Sequence, residues 1–140
     1  MIFRTSSRVL RDVFPHAKIV GIDSSESMIL KAKEKYADID FLVCGAENLS
    51  GSYDLIFSNA CFQWIPDHER LIPQLMERLP DGGILAVQMP MNQEEPLFRI
   101  IKESAANPKW NFENVCFEKN DTLSPQEYFD ILSACSSSFD

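Results

Sequence analysis

Glycine is scarce in this chain: 5 occur in 140 residues, and none precedes Gly21. A glycine-rich cofactor loop normally sits ~20 residues before the acid that holds a ribose, so no such loop is expected in the first twenty positions. Long apolar runs are missing too. No stretch approaches the ~18 residues that would suggest a membrane-spanning helix. The segment Met1 to Leu10 holds Arg4 and Arg8 and lacks the apolar centre of a secretory signal, which makes a cytoplasmic location the expectation. Basic charge is in deficit, with 13 Lys and Arg against 21 Asp and Glu and a net charge of −8. A nucleic-acid binder normally presents a basic face, so nucleic acid is not expected as a main partner. The 4 cysteines, Cys44, Cys61, Cys116 and Cys135, form no Cys-x-x-Cys pair and stand far from His16 and His68. Zinc ligands usually come in close pairs, so no metal is expected. Free buried thiols are expected over disulfides in a reducing compartment.

What is present is an ordinary apolar share of 45% and a length suited to one domain, residues 1–140, with a real core. The most informative stretch is Lys18-Ile19-Val20-Gly21-Ile22-Asp23, followed by Ser24-Ser25-Glu26-Ser27-Met28. A β-branched run ends in a carboxylate, and a helix start follows. In open α/β sheets ligands bind beyond the carboxyl ends of strands, where an acid often grips a ribose. Asp23 is the candidate.

Taken in order, Thr5-Ser6-Ser7 favours helix entry, and Val9, Leu10, Val13 and Phe14 fall on one face of the helix ended by Pro15. After the strand Lys18–Asp23, Ser24 or Ser25 caps a helix to about Tyr36, with Met28, Ile29, Ala32 and Tyr36 inward. Its late lysines, 31, 33 and 35, complement the helix C-terminus. Strands are expected at Asp40–Cys44 and Tyr53–Ser58, on either side of a loop. Pro66 to Leu79 reads as a helix burying Leu71, Ile72, Leu75 and Leu79. Ile84–Met89 is an almost unbroken apolar strand, the pattern of burial on both faces. Leu97–Ala106 is a further helix, and Asn107–Asn120 shows no period. Ser124-Pro125-Gln126-Glu127 combines a capping serine, an early proline and a glutamate three residues on, opening a helix with Tyr128, Phe129, Ile131 and Leu132. Strands alternating with helices imply a parallel sheet of βαβ units.

Four stretches, in this order and spacing, resemble class I S-adenosylmethionine-dependent methyltransferases, closest to the trans-aconitate 2-methyltransferases. They are Phe14-Pro15-x-Ala17 running on to Gly21-Ile22-Asp23-Ser24-Ser25-x-x-Met28; Tyr53 to Ala60; Gln63-Trp64-Ile65-Pro66-Asp67-His68; and Gly82-Gly83-Ile84 to Pro90. The likeness covers roughly Thr5 to Arg99 and returns at Tyr128–Leu132. It implies an α/β, partial Rossmann-like fold, a mostly parallel sheet flanked by helices. It further implies that the family's first strand, its Gly-x-Gly loop and its C-terminal strands fall outside this sequence, as expected of a piece cut at both ends. In the family order that first strand lies between the strands ending at Asp23 and Ser58. Those two are therefore expected to lack a common neighbour.

The resemblance also implies S-adenosylmethionine as cofactor and a small-molecule carboxylate as methyl acceptor. Asp23 would accept the ribose hydroxyls, and Ser24 and Met28 would line the same edge, Met28 either near the adenine or as plain core. Gly45 stands where the family often has an aspartate for the adenine amino group, leaving Glu47 or a carbonyl to replace it, while the Ala46 N–H would reach a ring nitrogen. Asn59 would help place the methionine end. Gln63 and Trp64 would border the acceptor, or Trp64 would be a surface anchor. A catalytic role for His68 is not expected, and Arg99 and Tyr128 carry no motif. Two other readings share parts of the pattern: a non-catalytic scaffold retaining the fold, and a nicotinamide-binding oxidoreductase, which the stretches around Asn59 and Gly83 disfavour.

Overall fold

The structure, a computed structural model, describes residues 3–91, 95–107, 109 and 122–138. Cys116 and most of the period-free segment 107–120 lie outside the described residues. The elements are α1 (Phe3–Val13), β1 (Val20–Asp23), α2 (Glu26–Lys35), β2 (Asp40–Val43), β3 (Leu55–Asn59), α3 (His68–Met76), β4 (Ile84–Gln88), α4 (Pro96–Ala105) and α5 (Pro125–Cys135), with short 3₁₀ turns at Ala46–Asn48 and Phe62–Trp64.

These elements make two successive βαβ units. β1 pairs in parallel with β2 through α2, with Gly21 opposite Phe41 and Asp23 opposite Val43. β3 pairs in parallel with β4 through α3, with Leu55 opposite Ile84 and Asn59 opposite Gln88. Parallel neighbours need such long crossovers because each strand must return to its starting edge. The two pairs form separate sheets. The expectation that the strands ending at Asp23 and Ser58 lack a common neighbour is met: among the described residues, neither pairs on its second edge.

Each unit has its own core. Ile29 and Ala32 of α2 bury against Ile39 and Phe41, with Ile19 and Tyr36 packed on them. In the second unit Phe62, Leu71 and Leu75 are buried, with Ile56, Leu85 and Val87 from the strands and Met89 just past β4 beside them. Ala46 and Leu49 also pack there, and the Gln74 side chain donates to the Glu47 carbonyl at 2.7 Å. The turn after β2 is thereby fixed to the second unit.

Several expectations change. α1 starts five residues before Arg8, and its Val9, Val13 and Phe14 are 53%, 61% and 47% exposed. The inward face is the one through Ser7 and Arg11, one helical turn apart. Ser7 is buried with its hydroxyl close to Gly21, while Arg11 donates to the carbonyls of Ala17 at 2.7 Å and Asp38 at 3.0 Å and pairs with the Asp38 carboxylate at 3.5 Å. One guanidinium thus ties α1 to the approach of both strands of the first sheet. Ser25 is the N-cap residue of α2, but its side chain caps no backbone N–H and meets the Ser27 hydroxyl instead. β4 is not buried on both faces: Ile84 is 59% exposed and Gln88 is exposed, because β3 is its only paired neighbour among the described residues. α3 ends at Met76, short of Leu79, after carrying Pro73 within it. The capping box of α5 forms as expected, the Glu127 N–H donating to the Ser124 hydroxyl and the Ser124 N–H to the Glu127 carboxylate. The thiols of Cys44, Cys61 and Cys135 are free but half-buried rather than buried. No helix among the described residues is long and apolar enough to cross a membrane.

Candidate functional site

The carboxyl ends of the strands hold the chemistry-bearing residues. Asp23 ends β1 half-buried, and its Oδ1 accepts the Ser25 N–H at 2.8 Å. That bond is local because the chain turns directly from strand into helix. The Asp23 carbonyl takes the Cys44 N–H at 2.9 Å, holding the end of β2 beside it. One turn later, the Glu47 carboxylate folds over Gly45. A Cβ built at Gly45 would lie 2.2 Å and 2.5 Å from its two oxygens, so an acid occupies the space that a side chain at position 45 would take. The Asn48 amide donates to Glu47 Oε1 at 3.0 Å and steadies it.

β3 ends in a different geometry. Asn59 is half-buried and pairs with Gln88, whose carbonyl also takes the Ala60 N–H at 2.7 Å. Ala60 has φ +49°, the left-handed region that an L-residue enters at a cost, and there the chain leaves the sheet abruptly. Beyond it Cys61 lies within electrostatic reach of Asp23 in the other sheet. Burial above all, and then the Asp23 charge, push its thiol pKa up, while the neighbouring Ser58 hydroxyl offsets part of the rise. Ser58 is 6% exposed and Gln63 5% exposed. The Ser58 hydroxyl stands near the thiol without hydrogen-bond geometry to any described residue, and Gln63 Oε1 is likewise buried without a partner.

Of the expected site residues, Asp23, Gly45, Ala46 and Asn59 are half-buried at strand ends, and Met28 is half-buried on α2. Gln63 is fully buried, whereas Ser24 is exposed and Trp64 is 63% exposed. The sequence points to Ser58 only as the start of the stretch Ser58-Asn59-Ala60 expected to pass the methionine end, and it does not point to Cys61. Their roles follow from the turn at Ala60, for which the residue type gives no signal. His68 is 1% exposed with both ring nitrogens bonded inside the fold, to the Phe62 carbonyl and the Tyr128 hydroxyl. That accords with a structural role. Tyr128 is committed there as well and is not a free donor for an acceptor carboxylate. Arg99 is exposed on α4. Among the described residues no cluster of His, Cys, Asp and Glu is suited to a metal.

Two successive parallel βαβ units make a partial Rossmann-like α/β fold. Residues 4–130 match the family model described as a methyltransferase domain, and the chain belongs to that family. It is 43% identical over 108 residues to the trans-aconitate 2-methyltransferase of Variovorax paradoxus, covering 75% of this chain and 42% of that protein. It is 34% identical over 141 residues to that of Paracidovorax citrulli, covering 96% and 54%, and 43% identical over 93 residues to that of Deinococcus radiodurans, covering 66% and 36%. The chain spans about half the length of the curated relatives it matches.

Proposed function

We propose that this chain forms the S-adenosylmethionine-binding part of a methyltransferase acting on a small-molecule carboxylate, trans-aconitate or a close analogue. The observation that carries the reading is Asp23, half-buried at the end of β1 with one carboxylate oxygen held by the Ser25 N–H. An ionised carboxylate in that setting accepts a ribose diol through charge-assisted hydrogen bonds. The donor and acceptor set fits the rest of the cofactor. The Glu47 carboxylate, lying over Gly45, replaces the acceptor that glycine lacks, the Ala46 N–H serves a ring nitrogen, and Ser24 and Met28 edge the same side. At the end of β3, Asn59 and the buried hydroxyl of Ser58 face the polar methionine end, and the buried Gln63 amide and Trp64 border the acceptor.

When bound, the cofactor supplies an electrophilic methyl group on a sulfonium. The acceptor carboxylate, with an ordinary pKa of ~4, is already ionised at pH 7. No general base is needed, and the chain's task is to align two ligands. That agrees with a His68 wholly engaged in the fold. The scaffold reading draws on the second edges of β1 and β3, which are unpaired among the described residues.

A ligand-observed titration with S-adenosylhomocysteine separates the two. Saturable binding weaker than ~100 µM, about 5.5 kcal/mol, is expected, falling at least tenfold in Asp23→Asn. Binding that Asp23→Asn leaves untouched, or none at millimolar ligand, would favour the scaffold.

A further inference from the structure

His68 is the first residue of α3, and its ring joins two elements that are distant in sequence. Nε2 lies 2.8 Å from the Phe62 carbonyl. A carbonyl only accepts, so Nε2 carries the hydrogen. The Phe62 carbonyl also takes the Ile65 N–H at 2.8 Å, which fills both of its lone pairs. In the neutral ring Nδ1 is then an acceptor, and the hydroxyl that reaches it is Tyr128, 60 residues away on α5. The Tyr128 oxygen in turn accepts the Leu123 N–H at 3.1 Å, and the Met89 sulfur lies 3.6 Å from it.

The result is a one-directional chain of hydrogen bonds, from the Leu123 N–H through Tyr128 and His68 to the Phe62 carbonyl. Bonds aligned in this way polarise one another where water is sparse; His68 is buried and Tyr128 half-buried. The rings reinforce the line, with His68 stacked at a tilt on Phe62 at 6.1 Å and on Tyr128 at 5.8 Å between centroids. Its far end is the Phe62–Trp64 turn, which carries Gln63 and Trp64. That turn has few bonds of its own, since the Trp64 N–H reaches the Cys61 carbonyl at 3.0 Å and the Ile65 N–H closes it on Phe62.

We infer that Tyr128, acting through His68, is a positioning residue for the Phe62–Trp64 turn, so that the docking of α5 sets the acceptor side of the site. The second clause rests on the reading of Gln63 and Trp64 as acceptor-facing; the first does not. Removal of the Tyr128 hydroxyl leaves Nδ1 without its donor inside the core, and the ring is then free to tilt away from the Phe62 carbonyl.

The test is Tyr128→Phe, which keeps the aromatic ring, read by amide hydrogen exchange on the whole chain. The Trp64 and Ile65 amides are expected to exchange about tenfold faster, with the amides of β3, β4 and the middle of α3 within twofold of wild type. In a His68→Gln background, whose side-chain amide can keep a donor on the Phe62 carbonyl but offers Tyr128 a displaced acceptor, adding Tyr128→Phe is expected to change the turn little further. Effects that simply add would overturn the relay through His68. Unchanged exchange at Trp64 and Ile65, or a uniform acceleration across the core, would overturn the positioning role. Titration with trans-aconitate separates the two clauses. A tenfold weaker affinity in Tyr128→Phe, with S-adenosylhomocysteine unaffected, supports both. A wild-type chain that ignores trans-aconitate while its turn still responds to the substitution refutes the acceptor reading and leaves the positioning role standing.

Discussion

Gly21→Ala puts the packing beneath Asp23 under direct test. Gly21 lies opposite Phe41 in the β1–β2 ladder, and a Cβ there would sit 2.5 Å from both Cδ1 and Cε1 of that ring. Carbon atoms in contact prefer ~3.5–4.0 Å, so the ring would have to retreat by about 1 Å. Phe41 is 4% exposed and packed among Ile29, Ala32 and Ile39. Overpacking of this kind costs ~1–3 kcal/mol, offset by ~0.4–1 kcal/mol because alanine restricts the unfolded chain. The net is a loss of roughly 1–2 kcal/mol, or about 3–8 °C in Tm for a domain of this size. Asp23 lies two residues further along the same strand, so affinity for S-adenosylhomocysteine should fall together with stability. Thermal melts of Gly21→Ala, Phe41→Leu and the double variant decide the matter, because trimming the ring makes room for the new methyl group. The double variant should recover about 1 kcal/mol relative to the sum of the singles. A Gly21→Ala chain as stable as wild type, or strictly additive costs, would refute the reasoning.

Three further outcomes are expected. Ser124→Ala should cost ~1 kcal/mol, seen as loss of exchange protection in the first turn of α5. The Glu127 carboxyl is held below its usual range chiefly by the Ser124 hydroxyl and then by the Ser124 N–H. A depressed carboxylate contributes stability above its unfolded pKa and loses it as pH falls through the folded one. Acid should therefore fray wild-type α5, and Ser124→Ala should flatten that dependence; an unaltered acid limb would count against it. The Tyr128 hydroxyl is pushed above its usual value first by burial, with the Leu123 N–H opposing and the Glu127 charge adding. Its contribution holds below the ordinary tyrosine pKa of ~10 and is lost as pH rises beyond it. Alkaline release of α5, followed by circular dichroism, should be absent in Tyr128→Phe. Finally, Cys61 should alkylate slowly at neutral pH because burial and Asp23 keep its thiol protonated. Asp23→Asn should speed labelling of Cys61 and not of Cys135, whose thiol is raised by burial alone; equal rates would place Asp23 and Cys61 apart.

The sequence carried the order of elements because the period of apolar residues changes with each strand and helix, and Lys18–Asp23 and Ser124–Glu127 held complete local signals. It misled where burial depends on partners rather than on residue type. Ile84–Met89 reads as a doubly covered strand, yet with one paired neighbour among the described residues it stays half open. In α1 the hydrophobic residues mark a face that points outward, while the inward face is made by Ser7 and Arg11, whose contacts lie in later segments. Asp23 was legible at the site because its partner is two residues away. The Tyr128–His68 pair was not, since nothing local joins positions 60 residues apart. Ala60 in a left-handed conformation was hidden as well, because alanine gives no sign of it where glycine or asparagine would.

The separation of the two βαβ units bears on how the chain behaves in bulk solution. Each sheet has its own core, and the links between the units among the described residues are few, chiefly the turn after β2 and the charge of Asp23 near Cys61. Heating should therefore melt the chain with a van't Hoff enthalpy below the calorimetric one, the sign of units that unfold out of step. Among the described residues no strand pairs with the second edges of β1 and β3, and such edges template association unless something covers them. Concentration then becomes a structural variable: dilute chains would stay dispersed, and crowded ones would join edge to edge.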